Sequence, residues 1–372
     1  MRFDVVDQET VNRLPRLSEL HAAYGVQVNS IAVDELFELY ERTGFLYPDK
    51  AARLLPYLDT VKENWRRMLD AGESLLYVLT AGDEREGRAA LAVFRTTHRG
   101  WTYQHLVSED NPYGSRAVML AAEAAMILKG SDESAQNWFR PENRFPARVF
   151  GSMIQAIGGS LSSAQNYTYF GLPRTLSLPS DQGIRVVPYD ADCSKDLCAL
   201  AETTRGQVYV AAEELETDVP LKSLDLLYRR VGLRRTRHVW LAYRQNRLIG
   251  AAIAYRGPLG LNFSFLENRC DLLLYPSLPE TELQKGVSAL LGAAVTAYRD
   301  FELEFIPVIA GDESVPILLK LGAQQVRNYC QCIWLKGGYP RSYRHVDSFY
   351  SKVLDRARKR SLQPSLLLGD LK

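Results

Sequence analysis

The sequence predicts a mixed α/β fold, duplicated as two domains in tandem. The chain has 372 residues, which is long for a single hydrophobic core. One order of elements (strand, strand, strand, helix, strand, helix, strand) occurs twice, and a proline-rich stretch at 172–183 separates the copies. We therefore predict a first domain over 1–178, a second over 179–336 and a basic helical tail over 337–372. Each domain should hold a mixed, mostly antiparallel sheet flanked by helices.

The first half begins with a possible edge strand, "RFDVV", and a helical stretch that contains "YLDTVKENWRRMLDAG". Residues 74–95 form two apolar runs around a charged turn, as antiparallel hairpins do, and "WTYQHLVSE" adds a third strand. After the turn "DNPYGSR", the segment "AVMLAAEAAMILK" indicates a core helix that ends at Gly130. A short strand "AQNWF", a helix within "RFPARVFGSMIQAIGG" and a strand "AQNYTYFGL" complete this half.

The second half repeats this order. An edge strand "GIRVVPY" is followed by a hairpin over 238–256 and the strand "RCDLLLY". The helix "LQKGVSALLGAAVTAY", the strand "FELEFIPVIA", the helix "ESVPILLKLG" and the strand "NYCQCIWL" follow. The recurrence of seven elements in one order favours a duplication over coincidence.

Composition places the chain among ordinary globular proteins. Hydrophobic residues make up 46% and charged residues 24%, and the formal net charge is +1, so nothing global attracts nucleic acid or an anionic membrane. No apolar run has the length of a membrane span, and the first residues do not resemble a signal peptide. The sparse cysteines lack metal-type spacing and indicate reduced thiols in a cytoplasmic protein, without a metal: Cys193, Cys198, Cys270, Cys330 and Cys332.

The stretch "SVPILLKLGA", residues 314–323, resembles the end of the last helix in the GNAT-type acyl-CoA N-acyltransferase fold. In that family a Leu-Tyr-Glu-Lys-Leu-Gly-Phe-like phrase closes the helix before the final strands. Lys320, Leu321 and Gly322 match this phrase, and "MIQAIGG" in the first half is a weaker copy. The resemblance covers most of the chain by element order. It implies an acyl-CoA as a substrate and an amine as the acyl acceptor.

The sequence departs from the family at its catalytic tyrosine. The family often uses the tyrosine of that phrase to protonate the leaving thiolate, whereas Leu318 stands there in the second half and Ile154 in the first. Neither side chain can donate a proton. The eroded motifs leave two hypotheses open: an N-acyltransferase, or a non-catalytic protein that senses a nucleotide or an acyl-CoA.

The family also binds the pyrophosphate of its cofactor through a glycine-rich turn at a helix N-terminus. In the first half the corresponding stretch is "NPYGSR", which makes Tyr113, Gly114, Ser115 and Arg116 candidate cofactor-binding residues. An ordinary turn is the alternative interpretation. The second half offers "TELQKG", where Glu282 and the preceding Glu280 oppose phosphate binding.

His105 and Glu109 are the candidate catalytic residues. In an N-acyltransferase the strand "WTYQHLVSE" would line the thioester, and an imidazole or a carboxylate on it could deprotonate an attacking amine. A histidine hydrogen-bonded at the protein surface and a glutamate at a loop edge form the alternative interpretation.

The segment "YRRVGLRRTRH", residues 228–238, is rich in arginine. Arg229, Arg230, Arg234 and Arg235 could bind an anionic ligand such as a nucleotide. Alternatively, the first two close a helix, where cations suit the helix dipole, and the others face water. The motifs of α/β-hydrolases, phosphate-loop NTPases and zinc enzymes are not found in the sequence.

Overall fold

The computed structural model describes residues 23–129, 133–175 and 183–361. Within these residues, twelve strands form one continuous sheet. In chain order β1 to β12 are Val26–Val28, Leu76–Ala81, Ala89–Arg95, Gly100–Ser108, Ser134–Phe139, Ser162–Pro173, Arg185–Pro188, Thr236–Arg244, Arg247–Arg256, Cys270–Leu274, Phe305–Ala310 and Gln324–Leu335.

Helices lie on both faces of this sheet. In chain order α1 to α11 are Val33–Arg42, Pro48–Leu54, Leu58–Asp70, Pro112–Lys129, Ser152–Ile157, Ser194–Arg205, Gln207–Ala212, Lys222–Arg229, Glu280–Ala294, Val315–Lys320 and Tyr339–Ser361. A short helical turn at Arg144–Pro146 and a π-helical turn at Ala147–Gly151 lead into α5. No helix among the described residues has the length and apolar character needed to cross a lipid bilayer.

The two halves have the same internal topology, which confirms the predicted duplication of a mixed, mostly antiparallel fold. In the first half β1 to β4 pair antiparallel in sequence order, and β4 pairs parallel with β5. In the second half β7 to β10 pair in the same way, and β10 pairs parallel with β11. Each parallel pair is joined through a helix, α4 or α9, as parallel strands require.

The halves exchange their last strands. β12, from the second half, pairs antiparallel with β5 of the first half. β6, from the first half, pairs antiparallel with β11 of the second half. β6 and β12 also pair with each other over most of their length, so they join the halves at the centre of the sheet. The sequence analysis did not predict this exchange.

The stretch "SVPILLKLGA" folds as predicted. α10 ends at Lys320, Leu321 caps it, and Gly322 takes a left-handed φ of +84°. The Ala323 N–H then donates to the Leu318 carbonyl oxygen at 3.0 Å, which satisfies a carbonyl of the helix end. Leu318 is fully buried, and β12 is a central strand of the sheet.

The basic tail has a partner that the sequence did not reveal. α11 packs on α4 and α5 of the first half. Tyr339, Val346 and Tyr350 are buried in this contact.

Three sequence-based features lie outside the described residues. They are the edge strand "RFDVV", the helix-closing Gly130, and the boundary between 178 and 179. The division into 1–178 and 179–336 therefore stays a prediction. The outermost strand of the first half that the structure describes is Val26–Val28.

Candidate active site

A β-bulge distorts β4 at His105. Gln104 pairs with Ala92 and Val107 with Ala90, so two residues of β4 face the single residue Leu91 between them. His105 has a left-handed φ of +57°, which is uncommon for a side chain other than glycine. The bulge interrupts the regular alternation of the strand and so changes the direction of the side chains that follow.

β4 and β5 separate just before this bulge and leave a cavity. Their parallel pairing ends at Tyr103 and Asn137, and both strands continue without each other. The cavity between them, called here the β4–β5 cavity, has a volume of about 800 Å³. The second half contributes to its wall through residues 262–264, Arg327 and Tyr329, and α11 contributes Tyr350. The site is therefore built from both halves of the chain.

Buried polar atoms without a partner line the β4–β5 cavity. They are Nε2 of Gln104, both ring nitrogens of His105, Oδ1 of Asn137 and the hydroxyl of Tyr350. The amide group of Asn137 is fixed in place, because its Nδ2 donates to the Tyr103 carbonyl oxygen at 2.7 Å. An unsatisfied buried polar group costs on the order of 1–3 kcal/mol. A bound molecule with a donor and an acceptor would remove this cost.

The imidazole of His105 lies in an aromatic cage. Its ring centre is 5.4 Å from that of Trp65 in a stacked arrangement and 4.1 Å from that of Phe263. Tyr40 and Phe45 close two further sides at 5.3 and 5.1 Å. Burial, with a smaller effect of Lys50, lowers the pKa of His105 well below its ordinary value. The ring is therefore neutral at pH 7 and can accept one hydrogen bond and donate another.

Three cations, called here the cation group, surround the ring of Tyr47 at the same cavity. Lys50 Nζ is 4.9 Å from its ring centre, Arg140 Cζ is 5.3 Å away, and Arg327 Nη1 donates to the Tyr47 hydroxyl at 2.5 Å. All three line the β4–β5 cavity. Burial, followed by the charges of Arg140, Arg327 and Arg53, lowers the pKa of Lys50 to about 7.

The structure separates the two predicted catalytic residues. His105 lines the cavity, whereas Glu109 does not. The Glu109 carboxylate accepts from Arg42 Nε at 2.8 Å and from the Arg88 N–H at 2.9 Å. These hydrogen bonds, Arg42 first, lower the pKa of Glu109. Its charge is thus already neutralised outside the cavity.

The predicted phosphate stretch forms the first turn of α4. Asn111 caps the helix, since its Oδ1 accepts from the Gly114 N–H at 2.7 Å. Ser115 is buried and lines the cavity. Tyr113 is about half exposed, and its hydroxyl accepts from Arg358 Nε at 3.2 Å. Arg116 Nε donates to Asp347 Oδ1 at 3.1 Å and so connects α4 to α11.

The arginine-rich segment is largely engaged within the protein. Arg229 Nε and Arg234 Nε both donate to the carboxylate of Asp225, at 2.7 and 3.0 Å. Arg235 is buried, and its Nη1 donates to the Glu267 carbonyl oxygen at 2.8 Å. Arg230, the remaining member, is exposed.

The corresponding cleft of the second half is smaller, and an arginine side chain enters it. β10 and β11 pair only at two positions before they separate, and a cavity of about 290 Å³ lies there. Arg205 enters it: its Nη2 donates to the Leu272 carbonyl oxygen at 3.3 Å, and its Cζ lies 3.7 Å from the ring centre of Tyr167. β10 pairs with β9 without a bulge, in contrast to β4.

Sequence analysis missed most of the cavity-lining polar residues. Lys50, Arg140 and Arg327 come from segments far apart in the chain, and only the fold brings them together. Gln104 could have been found, since it adjoins His105 on the strand already singled out. Within the described residues, no group of three or more potential metal-binding side chains occurs.

A search of solved structures finds similar chains at low sequence identity. One similar solved structure is a Drosophila protein (13% identity, 84% of this chain and 99% of that chain covered, TM-score 0.45). Another is a putative acetyltransferase from Pyrococcus horikoshii (11%, 83% and 89%, TM-score 0.42). A third is a tandem GNAT protein from the clavulanic acid biosynthesis pathway (12%, 84% and 98%, TM-score 0.40).

No model of a known protein family matches the sequence. No curated protein matches it either. The duplicated strand order and the two parallel pairs give the chain a tandem, mixed α/β fold.

Proposed function

We propose that this chain transfers an acyl group from an acyl-CoA-type thioester to an amine acceptor in the β4–β5 cavity. The observation that carries this proposal is the set of buried, unsatisfied polar atoms of Gln104, His105 and Asn137 around one cavity. Such atoms are rare in folded proteins, and their convergence is typical of a ligand site.

The reaction assigns a role to two of these groups. The amine nitrogen attacks the thioester carbonyl carbon, the C–S bond breaks, and CoA leaves as a thiol. Negative charge develops on the carbonyl oxygen, and Gln104 Nε2 is an available donor for it. The nitrogen loses one proton to a free ring nitrogen of His105, and His105 returns this proton to the leaving thiolate.

The surroundings also favour the reactive, neutral form of an amine. The amine of Lys50 has its pKa lowered to about 7 in this cavity, first by burial and then by the neighbouring arginines. The amine of an acceptor bound in the same cavity would lose its proton more readily than in water. A weak base such as His105 is then sufficient.

The other candidate residues fit the proposal to different degrees. The first turn of α4, with Tyr113, Gly114, Ser115 and Arg116, is the proposed place for the CoA phosphates. Ser115 supports it by lining the cavity. For Glu109, the pairing with Arg42 supports a role in holding the end of β4 rather than in proton transfer.

The first half is the proposed location of the reaction. Its β4 carries the bulge and its cavity is open, whereas Arg205 occupies the cleft of the second half. An anionic ligand at Arg229, Arg230, Arg234 and Arg235 has less support. Asp225 already pairs with two of them, and Arg235 is buried.

Two variants test the proposal against a matched control. Purified protein is titrated with acetyl-CoA and a long-chain acyl-CoA by calorimetry, and thiol release is followed with a panel of amines. We expect Gln104→Leu to lower turnover roughly ten- to a hundredfold, as the loss of an oxyanion donor does. His105→Phe keeps an aromatic ring in the cage, so it should lower turnover while acyl-CoA binding persists.

The control is Gln165→Leu, the same change in the cleft of the second half. It should leave turnover nearly unchanged. Binding of acyl-CoA without thiol release for any amine would favour the sensing protein over the enzyme. Equal losses from Gln104→Leu and Gln165→Leu would contradict the proposed location.

A further inference from the structure

The cation group has little negative charge to balance it. Among the described residues, the cation group takes part in one ion pair. It joins Arg140 Nε to the exposed carboxylate of Glu142 at 3.6 Å. Lys50 and Arg327 form no ion pair with any described carboxylate. Instead they contact aromatic residues. Lys50 Nζ is 3.7 Å from the ring centre of Phe45, and Arg327 donates a hydrogen bond to the Tyr47 hydroxyl.

This arrangement is costly without a ligand. Cation–π contacts offset part of the desolvation of a charge, but they do not remove the repulsion between like charges. The repulsion contributes to the lowered pKa of Lys50. Burial is the largest cause, and the charges of Arg140, Arg327 and Arg53 follow. An oxyanion between these side chains would accept charge-assisted hydrogen bonds from them and remove the imbalance.

The cation group is separate from the proposed phosphate stretch. Lys50 lies on α2, Arg140 follows β5, and Arg327 lies on β12, whereas the phosphate stretch is on α4 and has its own cation, Arg116. The cation group lines the β4–β5 cavity, as His105 does, and the phosphate stretch reaches the same cavity through Ser115. The phosphates of the acyl-CoA are already assigned to α4. The cation group is therefore available for an oxyanion of the other substrate, the amine acceptor.

We propose that the amine acceptor carries an oxyanion, such as a carboxylate, and that Lys50, Arg140 and Arg327 hold it while the amine faces His105. The role of this ligand as the acyl acceptor rests on the proposed function. Because Arg327 belongs to the exchanged strand β12, the second half then determines which acceptor the first half takes.

Glutarate, with glutaramide as its uncharged counterpart, probes this site without relying on turnover. Each is titrated by calorimetry into the full chain saturated with acetyl-CoA. Glutarate should bind and glutaramide should not. Arg327→Gln should weaken glutarate at least tenfold, as loss of a charge-assisted contact does, and leave acetyl-CoA affinity within twofold. Arg327→Lys, which keeps the charge, should retain most of the glutarate affinity and guards against a folding defect.

Arg230→Gln is the matched control, since it removes an exposed arginine from the segment at 228–238. It should change neither affinity. If Arg327→Gln weakens acetyl-CoA as much as glutarate, or if saturating acetyl-CoA displaces glutarate, the cation group binds the donor phosphates and the proposal is wrong. Equal binding of glutarate and glutaramide, or no glutarate binding with or without acetyl-CoA, also overturns it. Arg327-dependent glutarate binding in a protein that never binds acetyl-CoA would leave the oxyanion site standing and refute the proposed acyl transfer.

Discussion

Arg116, the cation predicted to bind a phosphate, already forms an ion pair within the protein. The sequence places it beside a helix N-terminus, where a cation would suit a phosphate. In the structure its guanidinium group pairs with Asp347 and thereby holds α11 against α4. Both side chains are partly exposed, so the pair itself contributes little stability. A phosphate could compete with Asp347 for the same guanidinium.

This competition gives a prediction for two opposite variants. Arg116→Glu should weaken acyl-CoA binding roughly tenfold or more, because a charge-assisted contact becomes a repulsion. Asp347→Asn frees Arg116 and should keep or raise the affinity. Calorimetric titration measures both, and Arg230→Glu is the control. Arg235 is unsuitable as a control, although its position in the arginine-rich segment suggests it, because it is buried and its reversal would disturb folding. Unchanged affinity in Arg116→Glu would place the phosphates elsewhere.

The candidate site could be predicted from the sequence only where its residues are local. His105 was found because it lies on a strand just before a helix-forming turn. Lys50, Arg140 and Arg327 were not found, since each stands alone in its segment and their grouping around Tyr47 arises only in the fold. Local patterns predict which element a side chain lies on, but not which distant side chains it meets.

At the scale of elements, the ends of helices were the most predictable feature. Glycine can take a left-handed conformation that other residues adopt only at a cost, so "KLGA" fixes where α10 ends. The bulge in β4 was not predictable. "WTYQHLVSE" has the composition of a regular strand, and a histidine rather than a glycine takes the left-handed conformation.

The glycine argument predicts the outcome of one substitution. Gly322→Ala should reduce the free energy of unfolding by about 1 kcal/mol, because alanine is strained at a φ of +84° while space around the added carbon is free. Gly159→Ala is the control: its surroundings are equally open, and its φ is not in the left-handed range. Denaturant unfolding compares the two. A similar effect of both variants would show that the conformation of Gly322 does not contribute.

At the scale of the molecule, the exchange of last strands was invisible to sequence analysis. β6 and β12 are both twelve residues long, and each has six consecutive buried residues. Their patterns specify the face that each side chain occupies, but not whether β5 is followed by β6 or by β12. The duplicated order of elements is satisfied by either pairing.

The exchange predicts that neither half folds alone. A fragment of 1–178 would leave β5 with an unpaired edge, and a fragment of 179–372 would leave β11 in the same state. We expect each fragment, expressed separately, to be aggregated or to unfold without cooperativity. The two expressed together should copurify as one complex and unfold in a single transition, because β6 and β12 complete each other's half. Circular dichroism during thermal unfolding and gel filtration measure this, with the intact chain as reference. If 1–178 alone forms a monomer that unfolds cooperatively, β6 can return to β5, and the exchange is a preference between two pairings rather than a requirement of the fold.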